Sequence, residues 1–360
     1  MGFASSDWTR LDVRVRTFID RYNSEVRRYR EAGRPKEIDT FLNYSELKWS
    51  RNLKRHLLGD DQATFSAASI RTSLYRPFTK RFLYLADILV DEPSKSGAWS
   101  KKGNAFICVS GVASAQPFQA LVTETPTSLD MLEKTRCLPL YTYNEDGTNR
   151  NENITDWALD QYRTHYADPS ITKWDIFHST YALLHDPEYR TRYAANLKRE
   201  LPRIPFPPDL QAFTKAGKRL MELHIDYEQQ PEYPLEEIEQ PKAAWTLRVE
   251  RMSLSKDKTE LRYNDALTLR GIPAAAFEYR LGNRSALEWV IDQYRVSTDA
   301  RSGIVNDPNR ADDERYILRL TGQVITVSLE TMQIVRALPA LGLGKSDPAG
   351  EAENKAYEQA

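Results

Sequence analysis

The chain has 360 residues, 41% of them hydrophobic and 28% charged, with a formal net charge of −1 at pH 7. Near-neutrality argues against a dedicated non-specific nucleic-acid binder, which carries a basic excess, so any such role must rest on local patches. No apolar run approaches the length of a membrane span, MGFASSDWTR lacks the core of a signal peptide, and Cys108 and Cys137 are the only cysteines, so a reducing cytoplasm is the expected compartment.

The first element is DVRVRTFIDRYNSEVRRYREAG, residues 12–33. Val15, Phe18, Ile19, Tyr22 and Val26 form one helical stripe, the arginines flank it, and Gly33 and Pro35 end it. Residues 10–36 hold nine Arg or Lys against four Asp or Glu, which suits either a phosphate-tracking face or a solvated face with internal partners. A short helix is expected within 45–59. Pro77 interrupts the next stretch, and RFLYLA favours an extended segment. Further strands are expected at Ala105–Ser110, within FQALVTET and within TRCLPLYTY. The polar run NEDGTNRNEN, 144–153, has no periodicity and predicts a linker or disordered loop.

Helical periodicity then dominates. ITDWALDQYRTHY, TKWDIFHSTYALLHD and PEYRTRYAANLKREL predict successive helices, with Pro187 suited to a first turn. LPRIPFPPD must run extended, and Ile204 and Phe206 are expected to pack where this path passes a core. LQAFTKAGKRLMELHIDYEQ predicts an amphipathic helix with Phe213, Leu220, Leu223 and Tyr227 inward. The segment 245–273 alternates in short pieces, as in a small antiparallel sheet. In LGNRSALEWVIDQY, Ser285 and Glu288 have capping-box spacing, and Leu287, Val290, Ile291 and Tyr294 share a face. Arg284 stands just before that helix, either as a salt-bridged loop residue or as a side chain presented to an anion or a base edge. A long polar loop follows from 297, and two helices are expected to close the chain before an acidic tail.

The fold class expected is mixed α+β, helix-rich, with small antiparallel sheet parts. The division expected is a helical lead-in or coupling segment over 1–65, a mixed α/β subdomain over 66–143, a helix-rich subdomain over 154–343 and a flexible tail over 344–360. No dinucleotide fingerprint, phosphate loop, zinc signature or hydrolase nucleophile motif occurs. The five histidines, His56, His165, His178, His185 and His224, are scattered among helices and read as core or surface residues. An autonomous enzyme is disfavoured.

Nine stretches in order are more specific than any of them alone: YRPFTKRFLY, CLPLY, ALLHDPEYRTRY, LKRELPRIPFP, AGKRLMELHIDYE, RYNDALTLRGIP, NRSALEWVIDQYRV, SGIVNDPN and ITVSLETMQIV. Across about residues 40–340 this set resembles the C-terminal part of the single-chain Type ISP restriction-modification enzymes. Such enzymes join a nuclease, an ATP-driven translocase, an adenine-N6 methyltransferase and a target recognition domain. The resemblance implies that this chain is the recognition end and is not catalytic alone. NDPN at 306–309 lacks the aromatic of an adenine methyltransferase motif. S-adenosylmethionine, ATP and Mg2+ are implied for the full-length enzyme and not for this chain. Double-stranded DNA and the methyltransferase and helicase domains of the parent polypeptide are the implied partners, with no membrane.

A recognition domain needs side chains aimed from rigid supports. The candidates are Arg27 and Arg30 on the first helix, Arg76, Lys80 and Arg81 around the Pro77 break, Asn283 and Arg284 in the turn before the capping box, and Arg301, Asn306 and Arg310 in the following loop. Arginine can pair with guanine and asparagine with adenine through two parallel hydrogen bonds. The alternative is a structural or coupling module of a helicase-methyltransferase that makes no base-specific contact.

Overall fold

The computed structural model describes residues 3–90, 100–101, 103–144, 147–241, 243–298, 300 and 305–343. Strand β1 (Phe3–Ser5) leads into helix α1 (Trp8–Glu31), which Asp7 caps through the Arg10 amide. The stripe read from sequence is buried, except that Phe18 is only partly covered; Leu11 and Tyr29 extend it. It packs on α3 (Arg51–Leu58), which follows the single-turn α2 (Ile38–Phe41). Each fully buried Leu or Val here contributes about 1.5–3 kcal/mol. The hairpin β2 (Ile70–Arg76) and β3 (Thr79–Tyr84) turns at Pro77, and β1 pairs with β3 to make a three-stranded antiparallel sheet. The turn holds Phe78 at φ 55°, a left-handed conformation that a bulky residue adopts only when its surroundings compel it. Phe78 is buried edge-on against Tyr227, Tyr279 and His224, and that packing compels it.

The centre is the antiparallel sheet β5-β4-β6, formed by β4 (Phe106–Val109), β5 (Ala120–Thr123) and β6 (Arg136–Pro139). Side chains alternate across a strand, and both faces of β4 are covered. Phe106 and Cys108 join one core with the later sheet, while Ile107 and Val109 join another with the helices. Cys108 and Cys137 are directly opposed and both free, with the Cys108 thiol donating to Cys137 Sγ at 3.5 Å.

The stretch 144–153, expected as a linker or disordered loop, instead carries the return of a hairpin. Strand β8 (Asn151–Glu152) pairs with β7 (Tyr141–Thr142); the Asn144 amide donates to Thr148 O, the Gly147 amide to Asn144 O and the Asn153 side chain to Pro139 O. Helices α4 (Asp156–Tyr166), α5 (Lys173–Leu183) and α6 (Pro187–Arg192) follow. Pro187 occupies the first turn as expected, but α6 ends at Arg192 and only a 3-10 turn, Asn196–Lys198, continues it. Phe206 corrects its expectation: it is 40% exposed, stacked on His165 at a surface aromatic cluster with Tyr162, while Ile204 is the residue that packs on a core. Its replacement by Ala should therefore cost well under the roughly 3–5 kcal/mol of a fully buried Phe, as equilibrium urea unfolding would show.

Helix α7 (Leu210–Ile225) lies against α5, with all four expected residues buried. The antiparallel sheet read over 245–273 is present and gains an upstream strand. Its order is β10-β11-β12-β9, with β9 (Glu236–Glu239), β10 (Ser253–Leu254), β11 (Glu260–Arg262) and β12 (Leu267–Arg270). The short pair β13 (Arg280–Leu281) and β14 (Arg284–Ser285) precedes α8 (Ala286–Gln293). The capping box forms: the Ser285 hydroxyl accepts from the Glu288 amide and the Glu288 carboxylate from the Ser285 amide. Within the expected polar loop, β15 (Ser297–Thr298) pairs with β16 (Val305–Asn306). The chain then forms one helix rather than two, α9 (Tyr316–Arg336), because Gly322 continues the helix and lets the Glu232–Tyr233 segment approach. The acidic tail lies outside the described residues.

Candidate nucleic-acid interface

Four of the sequence candidates meet in one surface depression. Lys80 and Arg81 come from β3, Asn306 from the end of β16 and Arg310 from the loop that follows. Gln293 and Tyr294 from the end of α8, and Tyr316 from the start of α9, complete the wall.

Local chemistry fixes each part. A register shift between Leu74 and Arg76 bulges β2 beside the Pro77 turn, the kind of irregularity that re-aims side chains. The 306–310 loop is pinned by its own polar residues. Asn309 accepts from the Val249 amide and donates to the Val249 carbonyl, both at 2.8 Å, as a neighbouring strand would. Asp307 accepts from the Asn309 amide and pairs with Arg248 at 3.0 Å, and its carbonyl accepts from the Ser6 hydroxyl. NDPN is thus the clasp of this loop. Its partners at 248 and 249 were not visible in the sequence.

The cations differ in how far they are neutralised. Lys80 Nζ meets Glu228 at 2.7 Å, and the Tyr316 hydroxyl donates to the same carboxylate at 2.7 Å. Burial opposes charge on Glu228, but Lys80 and Tyr316 outweigh it and hold its pKa below the usual range. Arg81 lies over the Tyr75 ring at 4.0 Å and Arg310 over the Tyr316 ring at 3.2 Å. Among the described residues neither has a carboxylate within ion-pair distance. Burial lowers the Arg81 pKa, yet a guanidinium remains charged at any working pH.

The remaining candidates lie elsewhere. Arg284 Nη1 donates to Asp292 at 2.8 Å, over the Trp289 ring, so its charge is held by an internal partner. Gln293 donates to the same Asp292 oxygen, and Arg284 is not among the residues that line the depression. Replacing Arg284 with Ala should cost at most about 1 kcal/mol, because the pair is half-exposed. A sharp drop in the thermal midpoint would contradict this. Asn283 is exposed in the tight turn, and its carbonyl accepts from Arg280. Arg30 pairs with Asp60 at 3.0 Å, an acid it shares with Arg34; Arg27 donates to Ser24. Much of the basic face of α1 is therefore neutralised internally. Arg76 donates to Tyr75 O and Ser128. Arg301 lies outside the described residues. Glu228, Gln293, Tyr294 and Tyr316 were missed, since no local spacing announces a partner far along the chain.

The depression thus offers two guanidinium groups with no carboxylate at ion-pair distance among the described residues, and side-chain amides, to a hydrogen-bond acceptor bearing negative charge. Among the described residues no group of three or more His, Cys, Asp or Glu is placed to hold a metal ion, and no helix is long and apolar enough to cross a membrane.

The Type ISP C-terminal specificity domain family matches residues 4–320. Three solved structures resemble the chain, each with a TM-score of 0.82. A DrdV–DNA complex is 35% identical over 95% of this chain and 35% of that one. A nuclease-deletion mutant of the Type ISP restriction-modification enzyme LlaGI, in complex with a DNA substrate mimic, is 32% identical over 95% of this chain and 32% of that one. The ATP-dependent Type ISP enzyme LlaBIII bound to DNA is 27% identical over 94% of this chain and 22% of that one. The chain therefore spans about a third or less of these proteins. No curated protein matches it.

Proposed function

Because the chain belongs to the Type ISP C-terminal specificity domain family, we propose that it recognises a duplex DNA sequence on behalf of a larger restriction-modification enzyme. It would position a target adenine for N6 methylation and license ATP-driven translocation and cleavage by other domains. S-adenosylmethionine, ATP and Mg2+ would act on those domains. The observation that carries this reading is the family match across 4–320, joined to relatives solved with DNA. The basic depression supports it physically: a near-neutral chain has concentrated unpaired arginines where two rigid elements meet a clasped loop.

Selection from a pool of randomised duplexes tests it. The purified chain should enrich one sequence, and the same chain with labelled methyl donor should transfer no methyl group above a tag-only control. Enrichment of none would favour the coupling module that touches no base. Transfer of label would overturn the non-catalytic assignment.

A further inference from the structure

We propose that the depression between β3 and the 306–310 loop is a phosphate site that clamps one backbone phosphodiester of duplex DNA and reads no base. This rests on the DNA-binding reading above and specifies what this one part of the surface does.

Charge comes first. Glu228 neutralises Lys80, and Arg248 neutralises Asp307, so Arg81 and Arg310 leave about two positive charges facing the depression. Partly buried cations with no carboxylate in direct contact are costly, and an anion at the mouth of the depression, held by both, relieves that cost. Most other arginine candidates have already met an acid or a backbone acceptor, which makes this pair selective rather than one more basic patch.

Geometry comes second. Each guanidinium lies near an aromatic ring, Arg81 on Tyr75 and Arg310 on Tyr316. Contact with a ring occupies a face of the planar group and leaves its in-plane N–H edges for oxygen acceptors, the arrangement that suits a phosphate. Asn306 and Gln293 also line it with side-chain amides, that of Gln293 already donating to Asp292.

Reach comes third. A base reader must project into a major groove about 8.5 Å deep. Arg81 and Arg310 are drawn back between protein walls that include Thr79, Pro308 and Tyr294. A recessed donor can meet the backbone, which stands out from the duplex, more readily than a base edge within the groove. Such a contact fixes register and carries no sequence information directly.

The test uses the full chain, a selected duplex and a random-sequence duplex, titrated by fluorescence anisotropy from low to moderate salt. R81Q and R310Q should each weaken both duplexes equally, roughly three- to tenfold, and lower the slope of log affinity against log salt by about 0.9, the value of one phosphate contact. The double variant should lose little more than either single one, because both residues hold the same phosphate. R81K and R310K keep the stem and the charge, so they should retain the parent's salt slope and serve if a glutamine variant unfolds. Replacing phosphates one at a time with neutral methylphosphonates should reveal one position at which the parent weakens and the double variant does not.

A loss confined to the selected duplex, with relaxed preference at one base pair, would make these residues base readers and overturn the clamp. Unchanged affinity and slope would remove them from the interface. If inorganic phosphate raises the thermal midpoint of the parent but not of R81Q, while duplex affinity is unchanged, the site takes free anions and the phosphodiester assignment falls. The two readings fail separately. A parent that selects a sequence with variants unaffected retains recognition without the clamp; a parent that binds all duplexes alike with weakened variants retains the clamp without recognition.

Discussion

Lowering the pH from 7 to 5 should remove unfolding free energy, about 2 kcal/mol of it through His224 alone. His185 and His224 are buried, and burial first, then the nearby Arg190 charge, pushes both pKa values down, that of His224 to about 3. Burial and charge explain why His224 stays neutral. The Tyr181 hydroxyl accepts from the Val122 amide and is hydrogen-bonded to His224 Nδ1 at 2.6 Å, and His224 Nε2 is hydrogen-bonded to Thr331 Oγ1 at 2.9 Å. A second proton would put a charge on a buried ring beside the Arg190 guanidinium. The linkage sign follows. Below about 6.5 the unfolded chain takes up protons that the native chain refuses, so stability is full above that pH and falls as pH drops toward the native value. Each such histidine contributes about 1.4 kcal/mol per pH unit in that window. His178, with its pKa also lowered by burial, adds in the same direction. Asp186, whose pKa burial raises, works the other way. Urea titrations at pH 7, 6 and 5 measure the effect, and H224L should flatten the slope while costing stability at pH 7. A midpoint that does not move between pH 7 and pH 5 would sink the neutral-histidine account.

Those histidines show how much the sequence could say. Their scatter among helices was legible, and so was the absence of catalytic spacing. That Tyr181 of α5, His224 of α7 and Thr331 of α9 form one hydrogen-bonded chain was not, because the contact joins three helices. Where a rule is local it served well: the α1 stripe, the Ser285–Glu288 box and the extended proline run all formed. Where burial is decided by a distant partner it failed. Phe206 has the composition of a core residue but met His165 at the surface. Two helices were expected to close the chain and one forms, with Gly322 inside it where the Glu232–Tyr233 segment approaches. The interface divides the same way. Arg81 and Arg310 were legible as basic residues in two separate motifs, whereas their meeting depends on contacts far along the chain, as does the cancellation of Lys80 by Glu228, 148 residues on. Arg284 shows the converse: its position before the helix was legible, and its acid partner stands only eight residues on.

Replacing Gly217 with Ala should destabilise the chain by about 3 kcal/mol or more, while the same change at Gly322 should be near neutral. Both glycines sit inside long helices, where Ala is intrinsically better by about 1 kcal/mol. The surroundings decide the sign. A Cβ at 217 would stand 1.8 Å from the His178 carbonyl oxygen and 2.5 Å from its carbon, which are backbone atoms of α5 and cannot swing aside. The two helices would have to separate, opening the core that Phe177, Tyr181, Phe213 and Leu220 fill between them and β4. At Gly322 the nearest atoms are 3.2–3.3 Å away, in a loop segment that need yield only slightly. The functional consequence follows from what lies beyond α7. Its end leads within a few residues to Tyr227, which packs on Phe78, and to Glu228, which holds Lys80 and Tyr316. A shift of α7 therefore moves the carboxylate that holds Lys80 and Tyr316, two residues lining the depression proposed to take a DNA phosphate. G217A should accordingly lose both urea resistance and duplex affinity, whereas G322A should keep both. Equal midpoints for the two variants would mean that the α5–α7 crossing is looser than described, and would detach the helical scaffold from the interface it is argued to position.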